Sequence, residues 1–473
     1  MTRHTCILLT VAATLGACAS SPDPAPEPDW SQAATVRVLR DGDAWTADYV
    51  LDRDAPAWVF TDSALARADN QPWRPRAFTV ETPGLRVERR GWHDVLVGED
   101  GGSVPRRVRI RFEPFAGDLL AAYDPALRFT DGSVALYSDQ FDVRPLTSAA
   151  AADLLPMDLN GVPLEGPPVR AVFRDRAGPV LMNGERRAEA ERPEAPTYVL
   201  FGDVAADETE HLVAVFDPEL PDWIEAELSA FTPQAMSYYA DRLGEGQSAR
   251  PTLMVSWAGP TPSLLSMGGS VLPGLVIMTF EGVGVLEPTS EVRAGARWFI
   301  AHEGAHFWLG QVVSYERVRD MWITEGGADI LAVRALAEID PAYDARARLQ
   351  TAVDECSGFA DRPIATAAER SEHQAYYACG AVFHMLAEAG AARTGGDVFA
   401  VVRGMIDANR EDGILTAEEW LAELTRVSGD ASLAGDVRRL LSDGAADPAA
   451  EIASLFQRAG VAHEVRDGRV VLL

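Results

Sequence analysis

The stretch from Trp298 to Asp329 constrains this 473-residue chain more than any other. It contains the sequence H-E-G-A-H, from His302 to His306, in an apolar setting that favours a helix. Residues four apart on a helix lie on one face, so the two imidazoles point towards the same place. Neutral imidazole is a good zinc ligand, and a catalytic zinc takes three protein ligands. The pattern therefore predicts a helix that supplies two ligands to one zinc ion.

A third ligand and a general base are expected near these histidines. Eighteen residues separate His306 from Glu325, enough for the end of one helix, a short connection and the first turn of a second helix. Glu303 lies between the histidines, where its carboxylate can accept a proton from an attacking water. Asp329, one turn after Glu325, is expected either to accept a hydrogen bond from a ligand imidazole or to face solvent. The bare H-E-x-x-H pattern also arises by chance in unrelated helices.

The residues that flank the pattern make it specific. With Trp308, Gly310, Trp322 and Gly326 included, the stretch resembles the aminopeptidase N-like family of gluzincin zinc metallopeptidases. That family's pattern is close to H-E-x-A-H-x-W-x-G, then a spacer, then W-L-N-E-G-F-A. The resemblance covers about Leu253 to Leu386, well under half of the chain.

The resemblance implies the components of a hydrolytic site. His302, His306 and Glu325 are expected to hold one zinc ion, and Glu303 to act as general base, each at the family's spacing. The segment Y-Y-A-C-G-A resembles the family's Y-x-K-G-A, which implies that the Tyr377 hydroxyl donates to the oxyanion of the tetrahedral intermediate.

Two departures from the family's pattern leave alternatives open. Cys379 replaces the lysine of Y-x-K-G-A, so Tyr376 remains a second candidate donor, or the aromatic pair only packs a helix. The family's G-x-M-E-N motif is an edge strand whose carboxylate holds the substrate's free amino group, and here Val271 occupies the place of that glutamate. A preference for free N-termini then loses its physical basis, unless Glu281 or another carboxylate substitutes.

The N-terminus is expected to be an export signal. Residues 1–17 have a short basic start, an apolar segment from Ile7 to Leu15 and the sequence L-G-A-C, typical of a bacterial lipoprotein signal peptide. Cleavage makes Cys18 the lipidated N-terminus, although an ordinary secretory signal with an incidental cysteine is the alternative. Residues 18–34 are a Pro-rich tether. We expect a lipid anchor in the bacterial outer membrane, facing the periplasm.

The remaining cysteines and the charge limit the possible partners. After processing, Cys356 and Cys379 remain in an oxidising compartment, where a disulfide is the default expectation and two separate buried thiols are the alternative. The net charge of −29 makes nucleic acid an unfavourable partner and offers no basic patch to anionic lipid.

Strand and helix patterns divide the chain into a multidomain α+β protein. Residues 35–195 are rich in alternating and β-branched runs, which predicts an all-β N-terminal domain. Residues 196–395 are expected to form a thermolysin-like zinc catalytic domain, and residues 396–473 a helical C-terminal part that ends in a hairpin around Asp467-Gly468. A Gly-rich turn is predicted between strands at Pro251 to Trp257 and Leu275 to Phe280.

The sequence as a whole therefore predicts an exported, lipid-anchored zinc metallopeptidase that acts on peptides or proteins. Whether it trims N-termini, cuts internally or hydrolyses some other amide stays open. The alternative is a zinc-containing binding lipoprotein of the cell envelope that has lost catalysis. The presence of His302, Glu303, His306 and Glu325 together argues against that alternative.

Overall fold

β-Strands dominate the first half of the chain and helices the second. The computed structural model describes residues 33–120, 122–209, 212–248 and 250–473. This arrangement confirms a mixed α+β protein with a β-rich N-terminal region and a helical C-terminal part.

Short strands with alternating or fully buried side chains build the N-terminal region. In the strand Arg107–Phe112, for example, every second side chain is buried, as expected for a strand with one face on a core. The elements of this region are β1 (Thr35–Asp41), β2 (Ala44–Val50), β3 (Ala57–Phe60), β4 (Leu65–Ala66), β5 (Gln71–Pro72), α1 (Arg74–Ala77), β6 (Phe78–Val80), β7 (Leu85–Arg90), β8 (His93–Gly98), β9 (Arg107–Phe112), β10 (Ala126–Arg128), β11 (Val134–Tyr137), β12 (Val143–Leu146), β13 (Arg170–Asp175), β14 (Val180–Met182), β15 (Glu185–Arg187), β16 (Ala190–Glu191) and β17 (Tyr198–Phe201).

Three of the sheets in this region carry its core. Their strand orders are β16-β13-β1-β2-β9-β6, β10-β11-β17-β14-β15 and β12-β3-β8-β7. Arg74 lies fully buried among their aromatic side chains, where it pairs with Asp94 at 2.7 Å. A buried charge of this kind is tolerated because it is paired and hydrogen-bonded.

A second group of elements forms the sheet and helices that precede the metal-binding pattern. They are β18 (Asp207–Glu208), β19 (Val213–Phe216), α2 (Asp222–Leu243), β20 (Thr252–Trp257), β21 (Ser266–Leu272), β22 (Leu275–Glu281) and α3 (Ser290–Ala305). The sheet order is β18-β19-β20-β22-β21, with β19, β20 and β22 parallel and β21 an antiparallel edge strand.

Helices make up most of the remaining chain. They are α4 (Trp322–Ile339), α5 (Ala345–Phe359), α6 (Gln374–Ala392), α7 (Val398–Asn409), α8 (Ala417–Ser428), α9 (Ala431–Ser442) and α10 (Pro448–Ala459), with short strands β23 (Ser314–Tyr315), β24 (Ile414–Leu415), β25 (His463–Arg466) and β26 (Arg469–Leu472). Short 3₁₀ turns lie at Ser138–Phe141, Ala149–Leu154, Val283–Val285, Val318–Asp320, Ile364–Thr366 and Ala368–Arg370. The β25–β26 pair confirms the predicted terminal hairpin.

The predicted Gly-rich turn is wrong in part, because seven of its residues, Ser266–Leu272, form the strand β21. Gly269 fits this strand for a steric reason: a Cβ at that position would lie 2.2 Å from the carbonyl oxygen of Ile277 on β22. The glycine content of this segment suggests a turn. Residues 266–272 nevertheless form a strand, because all of them pair with β22.

Two glycines allow α4 and α6 to pack unusually closely. A Cβ on Gly326 would lie 2.1 Å from the carbonyl carbon of Gly380, and a Cβ on Gly380 would lie 2.2 Å from the carbonyl oxygen of Trp322. Since real side chains cannot approach so closely, both positions require glycine. The contact holds the start of α4 against the start of α6, and these two segments carry candidate site residues.

The N-terminal region also packs against the sheet that holds β21. A shared apolar cluster joins Tyr137 and Tyr198 of the first region to Leu272, Leu275 and Ile277 of the second. The β-rich region therefore forms one wall beside the edge strand.

Candidate metal centre and active site

Helix α3 carries His302 in its last turn, and His306 is the residue that caps its C-terminus. Thr289 caps its start, accepting a hydrogen bond from the Val292 backbone N–H at 3.2 Å. Near its end, the Tyr239 hydroxyl donates to the Ala301 carbonyl at 2.8 Å, which anchors α3 on α2. His302 and His306 both lie buried, 3% and 5% exposed, so their orientation is fixed by packing.

Helix α4 brings Glu325 to the same point. The Nε2 atoms of His302 and His306 lie 3.2 Å apart, and a Glu325 carboxylate oxygen lies 3.4 Å and 3.3 Å from them respectively. Within the described part of the chain, these three residues are the group of histidines, cysteines and carboxylates arranged to hold a metal ion.

Outer hydrogen bonds fix which nitrogen of each ring faces the centre. The Nδ1 of His302 lies 2.8 Å from a carboxylate oxygen of Asp329, and the Nδ1 of His306 lies 3.0 Å from the Leu309 carbonyl. Both partners can only accept, so each Nδ1 carries the hydrogen and each Nε2 is left for the centre. Of the two expectations for Asp329, the first is correct, because its side chain accepts a hydrogen bond from the His302 imidazole and does not face solvent.

This donor set fits zinc. Tetrahedral coordination with bonds of about 2.0–2.1 Å places ligand atoms roughly 3.3 Å apart, the spacing seen here between the three donor atoms. Two nitrogens and one carboxylate oxygen are also ligand types that zinc prefers. A fourth position is left for a small molecule.

Carboxylates control the proton affinity of the centre. Burial disfavours a charged His302, but hydrogen bonds to Asp329 and Glu325 outweigh burial and raise the pKa of His302 to about 10. Burial raises the pKa of Glu303, opposed by the adjacent His302 and His306 and assisted by Glu325. A carboxyl group with a raised pKa is suited to take up and return a proton near neutral pH.

Tyr377 lies at the centre and Tyr376 does not. The Tyr377 ring stacks on the His302 imidazole with centroids 5.8 Å apart, and its hydroxyl shares a hydrogen bond with Glu325. Burial, reinforced by Glu325 and Glu303, raises the pKa of Tyr377, so the phenol keeps its proton and stays a donor. The Tyr376 hydroxyl instead donates to Ala365 and accepts from Ala368, both at 3.2 Å, which is a packing role.

Strand β21 passes beside the centre without a carboxylate at Val271. The proposed substitute, Glu281, pairs in register with Ser266, five residues along β21 from Val271. At about 3.3 Å per residue this separation is roughly 17 Å. Glu281 is also bonded to the Thr261 hydroxyl. The structure therefore places Glu281 away from the position that an amine-binding carboxylate would need.

The structure adds two residues that the sequence analysis did not single out. Tyr123, from the β-rich region, donates its hydroxyl to the Val271 carbonyl at 3.0 Å. Arg348 of α5 lies over the Trp298 ring at 3.9 Å and within 3.9 Å of Asp329. Both contacts join segments far apart in the sequence, so no local pattern marks them.

A disulfide joins Cys356 of α5 to Cys379 of α6. Cys379 lies two residues after Tyr377, so the bond ties the helix that carries this tyrosine to the preceding helix. His384 of the same helix is fully buried and accepts a hydrogen bond from the Trp420 indole at 3.1 Å, which is a packing role.

Cys18 and the predicted signal and tether lie outside the described residues, apart from Ala33 and Ala34 at the tether's end. Among the helices that are described, none combines the length and the apolar character needed to cross a membrane.

Comparisons with known proteins show likeness in fold. No protein-family profile matches the sequence, and no curated protein matches it either. An aminopeptidase N family protein from Idiomarina loihiensis is 12% identical with a TM-score of 0.60, covering 89% of this chain and 78% of its own. Native leukotriene A4 hydrolase from Saccharomyces cerevisiae is 13% identical with a TM-score of 0.50, covering 90% and 72%. At these identities the likeness establishes the fold alone.

Metal binding at this centre should depend on pH. Because His302 is charged at neutral pH without metal and a ligand imidazole must be neutral, a bound metal displaces at least one proton. We expect zinc affinity to fall about tenfold or more for each unit that the pH drops from 8 to 6. Competition with a fluorescent chelator measures this slope.

Asp329→Asn is the matched variant, because it keeps a hydrogen-bond acceptor but removes the charge that raises the pKa of His302. It should give a shallower slope and weaken zinc binding about 10- to 100-fold. Zinc affinity that does not change between pH 6 and 8 would contradict this account.

The disulfide between Cys356 and Cys379 should contribute to stability and to turnover. Changing Cys356 and Cys379 together to Ser removes the covalent link between two residues that are 23 apart in sequence. The unfolded chain is then less restricted, which should lower the free energy of unfolding by about 3 kcal/mol. Turnover should also fall, because Tyr377 loses the restraint on its helix. Zinc content should stay the same. Thermal melting, metal analysis and turnover of one preparation separate these effects, and a double variant with full turnover would remove the link to Tyr377.

Proposed function

We propose that this protein is a zinc metallopeptidase that hydrolyses peptide bonds with Glu303 as its general base. The observation that carries the proposal is the triangle of donor atoms from His302, His306 and Glu325, with the buried Glu303 between the two histidines in sequence. The fold shared with an aminopeptidase N family protein supports it. We propose further that the second half of the chain contains a thermolysin-like catalytic domain.

The three ligands would hold one zinc ion, which supplies Lewis acidity that polarises a carbonyl and acidifies water. Glu303 accepts the proton of the attacking water on its carboxylate and returns it to the leaving amine. Its raised pKa suits both transfers. The Tyr377 phenol donates a hydrogen bond to the oxygen on which negative charge develops, a contribution of about 3 kcal/mol for one such donor.

The proposed substrate is a peptide or protein held without a carboxylate at Val271. The Tyr123 hydroxyl donates to the Val271 carbonyl, so a side chain of the β-rich region already uses this acceptor of the edge strand. Burying an ammonium group without a counter-charge is unfavourable, and Glu281 lies too far along the sheet to supply that charge.

We also propose that the protein is exported and held in the bacterial outer membrane by lipid on Cys18, facing the periplasm. The support is the L-G-A-C sequence after an apolar segment and the Pro-rich residues that follow. A disulfide between Cys356 and Cys379 suits an oxidising compartment.

Replacing Glu303 by Gln tests the proposed chemistry. The amide keeps the shape of the side chain but cannot take up a proton, so turnover of a broad peptide library should fall by about 10²- to 10⁴-fold with zinc still bound. Glu338→Gln, on the exposed surface of α4, is the matched control and should match the unchanged protein. No hydrolysis by zinc-loaded protein would favour the alternative of a binding protein.

Blocking the substrate's amino group tests the missing anchor. Peptides with acetylated N-termini should be cleaved at least as fast as their free counterparts, because no carboxylate at position 271 binds the free ammonium group. The ratio of kcat/KM values for matched pairs measures this effect. A strong preference for free N-termini would show that a carboxylate elsewhere binds the amine.

Cys18→Ser tests the anchor. Without the thiol no lipid can be attached, so the protein should move from the membrane fraction to the soluble periplasmic fraction. Cys6→Ser, inside the predicted signal peptide, is the control and should leave the distribution unchanged. An unchanged membrane fraction for Cys18→Ser would count against lipidation.

A further inference from the structure

Edge strand β21 can accept an added strand. It is the last strand of its sheet, and among the described residues only β22 pairs with it as a strand. An edge of this kind presents backbone N–H and C=O groups to an extended polypeptide. The end of β21 at Val271 and Leu272 is occupied, because Tyr123 donates to the first carbonyl at 3.0 Å and Gln311 to the second at 2.7 Å.

That occupied end of β21 lies at the candidate active site. Strand β21 runs along α3, since Met267 lies against Gly295 and Gly269 against Phe299. Two further residues of a strand and four of a helix both advance about 6 Å, so Val271 lies level with Glu303. The open edge therefore leads away from the centre towards Ser266.

Three exposed apolar side chains lie where β21 begins. Leu265, Val283 and Leu286 are 52%, 43% and 42% exposed, and we call them the apolar platform. Scattered exposed hydrophobic residues are ordinary on a protein surface, but these three belong to two adjoining segments. A Cβ on Gly284, between Val283 and Leu286, would lie only 2.6 Å from the Cβ of Leu265.

Backbone hydrogen bonds make the platform rigid before anything binds. The backbone N–H groups of Gly282, Val283 and Gly284 donate to carbonyls of the preceding loop at 2.8, 3.1 and 2.8 Å. A rigid surface orders fewer side chains on binding and so loses less conformational entropy.

The charges around the platform are acidic. Glu281, at the end of β22, is partly exposed, and Glu287 and Glu291 are exposed beside Leu286. The nearby Arg293 is already paired with Glu227. Apolar side chains with an acidic border complement a ligand that carries apolar and basic residues.

We propose that the apolar platform binds the distal part of an extended polypeptide substrate, rich in apolar and basic residues, which pairs with β21 on its way to the metal centre. This inference rests on the proposed peptidase function and names its substrate class as long unfolded chains. Leu265 lies six positions before Val271, about 20 Å in a strand, so substrate residues about six positions from the scissile bond reach the platform.

Steady-state kinetics with peptides of two lengths tests the proposal. One substrate has four residues, and two have ten, extended with Leu and Arg on the amino or the carboxyl side of the same scissile bond. Replacing Leu265, Val283 and Leu286 together by Ser should raise KM about tenfold for one of the ten-residue peptides. The triple replacement should not change kcat for that peptide. It should also not change KM or kcat for the four-residue peptide.

Two controls make the result specific. Leu154→Ser removes a side chain that is 87% exposed in the β-rich region, and it should change none of these constants. Replacing Arg by Glu in the affected ten-residue peptide should raise its KM on the unchanged protein. Equal KM values for the triple variant and the unchanged protein on both long peptides would overturn the proposal, as would an equal loss with the short peptide.

A binding measurement separates this inference from the proposed function. The fluorescence anisotropy of the labelled ten-residue peptide is followed on the Glu303→Gln protein with and without the three Ser changes. About tenfold weaker binding with the Ser changes supports the platform even if the unchanged protein hydrolyses nothing, in which case only the proposed chemistry fails. Equal binding overturns the platform even if hydrolysis is found.

Discussion

Three donor atoms from two helices meet in buried surroundings, and the rest of the site depends on that convergence. The donor atoms of His302, His306 and Glu325 lie 3.2–3.4 Å from one another. The Asp329 carboxylate lies 2.8 Å from the His302 Nδ1, and Glu303 is the residue after His302. Three carboxylates and two imidazoles lie together in this buried cluster. Excess negative charge that is shielded from water is unfavourable unless cations compensate it. Protons do so in part, as the raised pKa of His302 indicates, and a divalent metal would do so more fully.

The helix contacts that hold this cluster also set the positions of its neighbours. Gly326 and Gly380 bring α4 and α6 into backbone contact, so Glu325 and Tyr377 share one point. Arg348 and the disulfide connect α5 to the same group. The β-rich region contributes Tyr123, which closes one end of β21 and leaves the other open. The candidate site is therefore built from parts of the chain that are distant in sequence.

The sequence predicted those features that depend on local spacing. Two histidines four apart on a helix, and a glutamate in the first turn of the next, lie together as their spacing indicates. The strands predicted at Pro251 to Trp257 and at Leu275 to Phe280 also agree with the observed β20 and β22. In contrast, the contacts of Tyr123 and Arg348 depend on long-range packing. Asp329 could not be assigned from sequence, because its side chain direction follows from how α4 packs on α3.

Anomalous diffraction at the zinc edge tests the central claim most directly. Crystals of the protein grown with zinc, measured on both sides of the edge, should show one strong anomalous peak. We expect it about 2.0–2.2 Å from the Nε2 atoms of His302 and His306 and from a carboxylate oxygen of Glu325. No peak among these three residues, or a zinc ion held by other side chains while this triangle stays empty, would contradict the account.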